Sequence, residues 1–360
     1  MRAERIVVGM SGGVDSSVAA ALLVEAGHEA IGVTMRVWPA SSAPAARAGA
    51  CCGSEAVGDA RRVAATLGIP YYALNMADEF DRAVIGPFAD AYRRGRTPVP
   101  CVACNTELKF GSLLARARAW DAAAVATGHY ARVDRAPAGH WRLRRARDTR
   151  KDQSDFLWPL TQAQLAAARF PIGELTKDEV RGRARRLGLA TADKPESQEI
   201  CFVPDDDYRG FLRRRDPAMF RPGPIVDRAG HVLGRHAGVA GFTIGQRRGL
   251  GLASDRALYV VDLDPATERV TVGQAADLER DRLVVGSANF IAGAAPTGPL
   301  RVAAKIRHNQ PPAPAVVRPL GTGRAEVVFD APQRAVTPGQ SCVWYREDEV
   351  VGGGVIERDG

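Results

Sequence analysis

The sequence predicts an α/β protein: an N-terminal doubly wound parallel sheet followed by two small β-rich domains. Three observations predict it. Through the first part of the chain, short apolar runs alternate with helix-like stretches, the pattern of a parallel sheet covered on both faces. After about Tyr208 helical patterns thin out and short alternating runs between turn signals replace them. The chain is 360 residues long, room for two or three domains. Boundaries are expected at 1–207, 208–280 and 281–360.

Arg5–Met10 reads as a buried strand, followed by the glycine-rich turn Ser11–Asp15 and a helix over Ser16–Ala26 that stops at Gly27. Glu29–Thr34 is a second strand. Ser54 caps a helix with Val57, Ala60, Val63, Ala64 and Leu67 on one face, ended by Gly68. Tyr71–Asn75 and Ala122–Thr127 are the third and fourth strands. Thr176 and Glu179 form a capping box for a helix to Gly188, with Val180, Ala184 and Leu187 inward. Ile225–Leu233, Leu258–Val272, Arg301–Ile306, Ala325–Phe329 and Ser341–Tyr345 read as strands or hairpins. Ile291–Pro299, rich in Pro and Gly, is expected near a boundary between the two β modules. Ligands of a parallel sheet sit at the carboxyl ends of its strands. Ser11–Asp15, Met35 and Gly128 all follow predicted strands.

Hydrophobic residues make up 46% and charged residues 25% of the chain, which excludes disorder, collagen and coiled coil as descriptions of the whole. There is no signal peptide pattern and no stretch near the ~18 apolar residues of a membrane span. A cytoplasmic protein without a membrane partner is expected. No association helix stands out, so a monomer is expected. The net charge is +8, and the excess is local: Arg142–Lys151, Arg181–Arg186 and Arg213–Arg215 are basic runs. These suit a phosphate-rich partner or form a solvated arginine-rich surface.

The strongest local signal is Gly9-Met10-Ser11-Gly12-Gly13-Val14-Asp15-Ser16-Ser17, between strand and helix. Glycines let the backbone approach an anion, and free N–H groups at the helix start point at it. The serines add hydroxyls, and Asp15 can hold Mg2+ against phosphates. There is no lysine, so it is not a Walker A loop. The competing reading is a tight turn with a Ser cap.

SGGVDSS resembles the pyrophosphate loop of the ATP pyrophosphatase superfamily. The remaining motifs narrow the resemblance: Cys51-Cys52-Gly53 with Asp59–Val63, Gly95–Pro98, Cys104-Asn105 with Lys109-Phe110, Ala126–Tyr130, Lys151–Ser154, Ser197–Phe202, Thr243–Gly249 and Pro338–Gln340, in that order. Over essentially its full length the chain resembles the tRNA-specific 2-thiouridylase family. That resemblance implies an adenine nucleotide alpha hydrolase-like N-terminal domain and a C-terminal β-barrel. It implies ATP-dependent 2-thiolation of the wobble uridine of tRNA, forming 2-thiouridine.

By the same resemblance, Gly9, Met10, Ser11, Gly12, Gly13, Val14, Asp15, Ser16, Met35 and Gly128 match the ATP-binding positions, with Asp15 taken as catalytic. Cys104 matches the nucleophile, and Cys201 the cysteine that carries a persulfide. Val99, Pro100 and Cys101 match the segment beside the target base. His129, Lys151, Asp152, Gln153, Arg307, His308 and Gln340 match tRNA-contacting positions. A cysteine desulfurase or sulfur-relay protein is the implied donor.

The chemistry fits these residue types. Uracil C2 is a poor electrophile until its oxygen carries AMP. A Cys201 persulfide then attacks C2, or releases sulfide when Cys104 attacks it. Both routes use a thiolate and can leave a Cys104–Cys201 disulfide. Three departures from the family pattern stand out: Val99 replaces an asparagine, Asp155 a tyrosine, and His308 a tyrosine.

Other readings stand beside this one. Cys101, Cys104 and Cys201 supply three thiolates, enough for an iron–sulfur cluster in the same reaction. A small-molecule ligase with a pyrophosphate loop would not need Cys104 and Cys201. An RNA-binding or metal-binding protein without activity leaves the loop unexplained. Cys51 and Cys52 read as small packing residues, and Cys342 as core. Trp38, Trp120, Trp158 and Trp344 read as core rather than stacking platforms. His28, His140, His231 and His236 carry no motif and read as surface. Arg247 and Arg248 read as an exposed tip facing tRNA.

Overall fold

The computed structural model describes residues 3–38, 54–195, 200–203 and 206–358. Cys51, Cys52 and Ser197–Glu199 lie outside these. The chain begins β1 (Arg5–Gly9), α1 (Val14–Glu25), β2 (Glu29–Arg36), α2 (Ser54–Leu67) and β3 (Tyr71–Asn75). A helical run follows: α3 (Ala77–Phe80), a π-helical stretch Asp81–Ile85, and α4 (Gly86–Arg93). Next, α5 (Pro100–Ala103) leads into a second π-helical stretch, Cys104–Ser112, and α6 (Leu113–Ala119). After β4 (Ala124–Thr127) come the hairpin β5 (Ala131–Arg135) and β6 (Trp141–Arg145), α7 (Gln162–Ala166), β7 (Ala168–Arg169) and α8 (Lys177–Arg186).

The first sheet has the order β3-β2-β1-β4-β7, and its pairs are parallel. Period-2 alternation sorts β1: Ile6 and Val8 face one layer, Val7 the other. The first layer packs under α1, α2 and α8 through Val18, Leu23, Val63, Val180 and Ala184. The second packs under α6 and α7 through Leu113, Leu114, Ala117 and Leu165. Each such side chain fully withdrawn from water contributes about 1.5–3 kcal/mol, so the two faces, not the short helices' own propensities, hold the layers. The strand order reverses between β1 and β4. That reversal opens a crevice at their carboxyl ends, where such sheets bind ligands.

Beyond α9 (Tyr208–Arg215) lies a four-stranded sheet of β8 (Gly223–Val226), β9 (Val232–His236), β10 (Tyr259–Asp264) and β11 (Arg269–Gly273). The last strands are β12 (Glu279–Phe290), β13 (Leu300–Lys305), β14 (Ala313–Gly321), β15 (Arg324–Arg334), β16 (Ser341–Arg346) and β17 (Glu349–Ile356). Because β12 pairs with both β15 and β17, these close into an antiparallel barrel. Val302, Ala315, Val317, Val327 and Trp344 fill it.

Several sequence expectations need correction. Ile291–Pro299 joins β12 to β13 within the barrel, so it marks no boundary. Residues 208–215 are helical, because Phe211 and Leu212 dock on the aromatic cluster around Phe88 and Phe202. Met35 lies inside β2, which runs on to Arg36. His236 is buried, accepting from Gly238 N–H and donating from Nε2 to the Glu268 carbonyl at 2.9 Å. Trp120 is half-buried, packed against the edge of the core and against Tyr72. Among the described residues no helix is long and apolar enough to cross a membrane.

Five arginines of the basic run Arg142–Lys151 take part in ion pairs. The run lies on and just after β6, which pairs with β17 and so joins the barrel sheet. Arg142 and Arg144 bind Asp134, and Arg144 also binds Asp348. Arg145 pairs with Asp152, Arg147 with Glu179, and Arg150 with Asp148. The exposed pairs among these, such as Arg147–Glu179, contribute about 0–1 kcal/mol each. Together the pairs orient the hairpin against the barrel.

Candidate active site

The phosphate loop fills the crevice between β1 and β4. The first N–H groups of α1, at Val14, Asp15 and Ser16, have no intrahelical acceptor, as at any helix start. Gly12 turns the chain with φ +71°, and a Cβ there would meet the Ala56 carbonyl oxygen at 2.3 Å. Ser16 Oγ accepts from Ser11 N–H at 3.1 Å and donates to the Gly13 carbonyl at 3.1 Å. Ser17 Oγ donates to the same carbonyl at 2.8 Å. The loop is therefore pre-shaped by its own hydroxyls. Gly128, just past β4, lies so close that a Cβ would sit 2.6 Å from Ser16 N and 2.7 Å from Asp15 C. Gly9–Ser16 and Gly128 thus form one surface, and Met35 comes from β2, beside β1.

Asp15 is not open to solvent alone. Lys177 Nζ, at the start of α8, donates to both carboxylate oxygens at 2.8 Å. Tyr130 OH donates to Oδ1 at 2.8 Å. In the sequence Lys177 reads only as the residue after the Thr176 cap. Thr191 Oγ1 donates to Ser17 Oγ at 3.0 Å, and Lys194 pairs with buried Asp59 on α2. These two contacts tie the segment leading to Cys201 to the loop and its neighbouring helix.

Cys104 opens the π-helical stretch Cys104–Ser112, a distortion common at functional sites. Cys104 and Cys201 are half-buried, and Cys101 is exposed. Cys104, Cys201 and Met35 all border one apolar cluster, around Leu108, Phe88 and Phe202. Cys342 is core; burial pushes its thiol up to about 12. Cys101, Cys104 and Cys201 do not form a group able to hold a metal ion, and no such group of three His, Cys, Asp or Glu occurs among the described residues. They do not fit an iron–sulfur cluster in this arrangement. Mg2+ needs less, one or two carboxylates with phosphates and water, and Asp15 beside the loop fits it.

Behind Cys104, Lys109 Nζ donates to Asn105 Oδ1 at 2.9 Å and faces His129 Nε2 at 3.5 Å. Burial, and then the Lys109 charge, hold His129 well below the ordinary histidine range. It is neutral, with Nε2 bare towards Lys109, so Nδ1 carries the proton and donates to Thr127 Oγ1 at 2.7 Å. His129 is buried, so Lys109, half-buried, is the more accessible charge at this edge. Asn105 Nδ2 donates to the Phe156 carbonyl at 3.1 Å, which links the helical stretch opened by Cys104 to the turn after Lys151–Gln153.

That turn is well braced. Asp152 is buried and accepts from Arg145, Ala146 N–H and Ser154. Gln153 Oε1 accepts from Tyr130 N–H at 3.1 Å. Val99–Cys101 sits where three modules meet. Thr97 N–H donates to the Pro338 carbonyl at 2.8 Å, Gln340 Nε2 donates to the Thr97 carbonyl at 2.8 Å, and Thr97 Oγ1 meets Thr243 Oγ1 at 3.2 Å. Arg307 is turned partly inward: its Nη2 donates to the Ala335 carbonyl at 3.0 Å and Thr337 Oγ1 at 3.1 Å. Arg247 and Arg248 are exposed in the loop before β10.

Three family models tile the chain. Residues 4–205 match the tRNA methyl transferase HUP domain, 209–274 the tRNA methyl transferase PRC-barrel domain, and 280–356 the Aminomethyltransferase beta-barrel domain. The tRNA-specific 2-thiouridylase MnmA of Moorella thermoacetica is 52% identical over 353 residues, 98% of this chain and 99% of that relative. The chain belongs to the tRNA-specific 2-thiouridylase family. The thiouridylase of Heliobacterium modesticaldum is 50% identical over 359 residues, covering 99% of this chain and 93% of the relative. That of Clostridium perfringens is 48% identical over 357 residues, 99% of each. Among solved structures, a 4-thiouridine synthetase–RNA complex with bound ATP is 16% identical, with a TM-score of 0.35 over 59% of this chain and 50% of that one. That likeness is too distant to carry an argument. The family models carry a methyl-transfer name and the curated relatives a thiolation name. Full-length identity near one half makes the thiouridylase family the closer description.

Proposed function

We propose that this thiouridylase uses ATP to activate the C2 oxygen of the wobble uridine of tRNA and replaces that oxygen with sulfur carried on Cys201. One observation supports this most: Cys104, Cys201 and Met35 border one apolar cluster, and Thr34, next to Met35 on β2, donates from Oγ1 to the Met10 carbonyl of the loop at 2.7 Å. A methyl transferase would need neither the anion-binding loop nor two thiols.

The residues divide the work as follows. Gly9–Ser16 and Gly128 hold the phosphates by backbone N–H groups and close contact. Mg2+, when bound at Asp15, neutralises phosphate charge. The uracil O2 attacks the α-phosphorus and pyrophosphate leaves, which makes C2 electrophilic. The terminal sulfur of a Cys201 persulfide attacks C2 and AMP leaves. The Cys104 thiolate then attacks the Cys201 sulfur. The S–S bond breaks towards the thiouridine, and a Cys104–Cys201 disulfide remains, which an external dithiol reduces. Alternatively, Cys104 attacks the persulfide first and the released sulfide attacks C2, with the same net balance. A cysteine desulfurase or relay protein reloads Cys201.

Lys151–Gln153, His308 and Gln340 line the tRNA side, with Val99–Cys101 beside the extruded base. Cys104→Ser and Cys201→Ser should each abolish 2-thiouridine, measured by nucleoside mass spectrometry, and keep tRNA-dependent pyrophosphate release. Loss of that release as well would refute the division between loop and cysteines.

A further inference from the structure

Thr97 is gripped by two modules that lie far along the chain. The barrel holds its backbone. Thr97 N–H donates to the Pro338 carbonyl at 2.8 Å, and Gln340 Nε2 donates to the Thr97 carbonyl at 2.8 Å. Gly339, at φ +93°, lies so close that a Cβ there would stand 2.9 Å from Thr97 N. The module of β8–β11 holds the side chain: Thr97 Oγ1 donates to Thr243 Oγ1 at 3.2 Å. Thr243 is itself fixed by a closed turn. Its N–H donates to Gln246 Oε1 at 3.2 Å, and its carbonyl accepts from Gln246 N–H at 3.0 Å. Val260 N–H on β10 donates to the Gln246 carbonyl at 2.9 Å. Arg307 Nη2, donating to the Ile244 carbonyl at 3.4 Å and the Ala335 carbonyl at 3.0 Å, ties this turn to the barrel.

Resting on the thiolation reading above, we infer that Thr97 and Thr243 are positioning residues: their hydroxyl contact, together with the barrel's grip on the Thr97 backbone, sets where Cys104 stands against the target base. The reason is stiffness. Thr97-Pro98-Val99-Pro100 carries a proline at every second position. Each proline fixes its own φ near about −65° and confines the residue before it to extended backbone. Val99 is extended, at φ −111° and ψ 91°. Pro100 is the first residue of α5, and Cys104 follows α5 directly. A shift at Thr97 therefore reaches Cys101 and Cys104 as the movement of one piece. Misplacing a reacting group by about 1 Å can cost on the order of 100-fold in rate. A contact that only stapled the modules together would instead change stability and leave the rate at saturating substrate alone.

The test uses the full chain with tRNA, ATP, Mg2+, cysteine and a cysteine desulfurase. Thr243→Val keeps the size of the side chain and removes its hydroxyl. At saturating tRNA its rate of 2-thiouridine formation should fall at least about tenfold, with tRNA affinity within about twofold of wild type. Thr243→Ser keeps the hydroxyl and should recover most of the rate. Thr97→Val should match Thr243→Val and serves in its place if that protein does not fold, which thermal unfolding checks. The Thr97→Val/Thr243→Val protein should be no slower than either, because all three lose the same contact. Native alkylation by N-ethylmaleimide, followed by peptide mass spectrometry, should modify Cys104 several times faster in either valine variant than in wild type. An unchanged rate and unchanged alkylation in the folded valine variants overturn this inference alone, as does a loss that appears only as weaker tRNA binding. Absence of 2-thiouridine from wild type overturns the thiolation reading, and unchanged Cys104 alkylation then overturns the positioning as well.

Discussion

Asp155 and His308 face one another, with His308 Nδ1 at 2.9 Å from Asp155 Oδ2. Both depart from the family pattern of tyrosines, and the two departures meet in space. The same carboxylate takes Lys305 Nζ at 3.1 Å, and the His308 ring packs against Phe156 at 4.5 Å between centroids. Asp155 follows the Lys151–Gln153 turn, and Lys305 ends β13 of the barrel. One buried carboxylate therefore joins two segments 153 positions apart.

Asp155→Ala should be costly for stability. It leaves Lys305, 7% exposed, without its partner. Breaking a buried pair from one side costs about 3–5 kcal/mol, read as a lower urea midpoint. His308→Ala should cost under about 1 kcal/mol, since its side chain is 43% exposed. It should raise KM for tRNA severalfold at unchanged kcat.

Gly128→Ala should displace the phosphate loop. The new methyl would lie 2.6 Å from Ser16 N, a backbone atom that cannot give way as a side chain would. ATP affinity should fall at least tenfold, with Tm lowered by a few degrees, in titration calorimetry and thermal unfolding respectively.

His129 gives a pH dependence with a definite sign. Its folded pKa is depressed below the unfolded value of about 6.5. The folded state thus excludes a proton that the unfolded state accepts. Its contribution is complete above that value and is lost as pH falls, at about 1.4 kcal/mol per unit. His129→Gln should show a shallower loss of stability than wild type between pH 6.5 and 5.5. His236, also depressed by burial, cancels in that difference. Equal slopes would contradict the neutral assignment.

Thiol labelling should separate the cysteines. Under native conditions at pH 8, exposed Cys101 should react with N-ethylmaleimide first, and Cys104 and Cys201 more slowly. Cys342, fully buried with its pKa pushed up to about 12, should react only after unfolding. Peptide mass spectrometry reads the order.

Much of the first sheet was legible because its signals are local. Val7 and Val8 fall in one apolar run, Gly27 and Gly68 end helices, and Thr176–Glu179 announces a cap. The loop was legible for the same reason: its glycines and serines are contiguous. The hairpin β5–β6 was missed because its arginines read as free charge. Asp134 and Asp152 lie within ten positions of their arginines, but Asp348, which ties Arg132 and Arg144 to the barrel, lies far along the chain, and pairing at such separation has no signature in a single sequence. The alternation of Val133 with Leu143 across the hairpin was the available clue. Lys177 was missed for a related reason, since a lysine after a helix cap reads as solvated unless its target is known. His236 looked like surface because its two partners are backbone groups, which carry no side-chain signature.

The central claim is that the loop activates uridine and the two cysteines deliver sulfur. The most direct measurement follows pyrophosphate and 2-thiouridine in one anaerobic reaction of the Cys201→Ser protein, with metal-depleted wild type alongside. Both reactions contain tRNA, ATP, Mg2+, cysteine and a cysteine desulfurase. The account predicts pyrophosphate without 2-thiouridine from the variant, and both products from iron-free wild type. 2-Thiouridine formed by the variant, or by wild type only when iron and sulfide are bound, would contradict it.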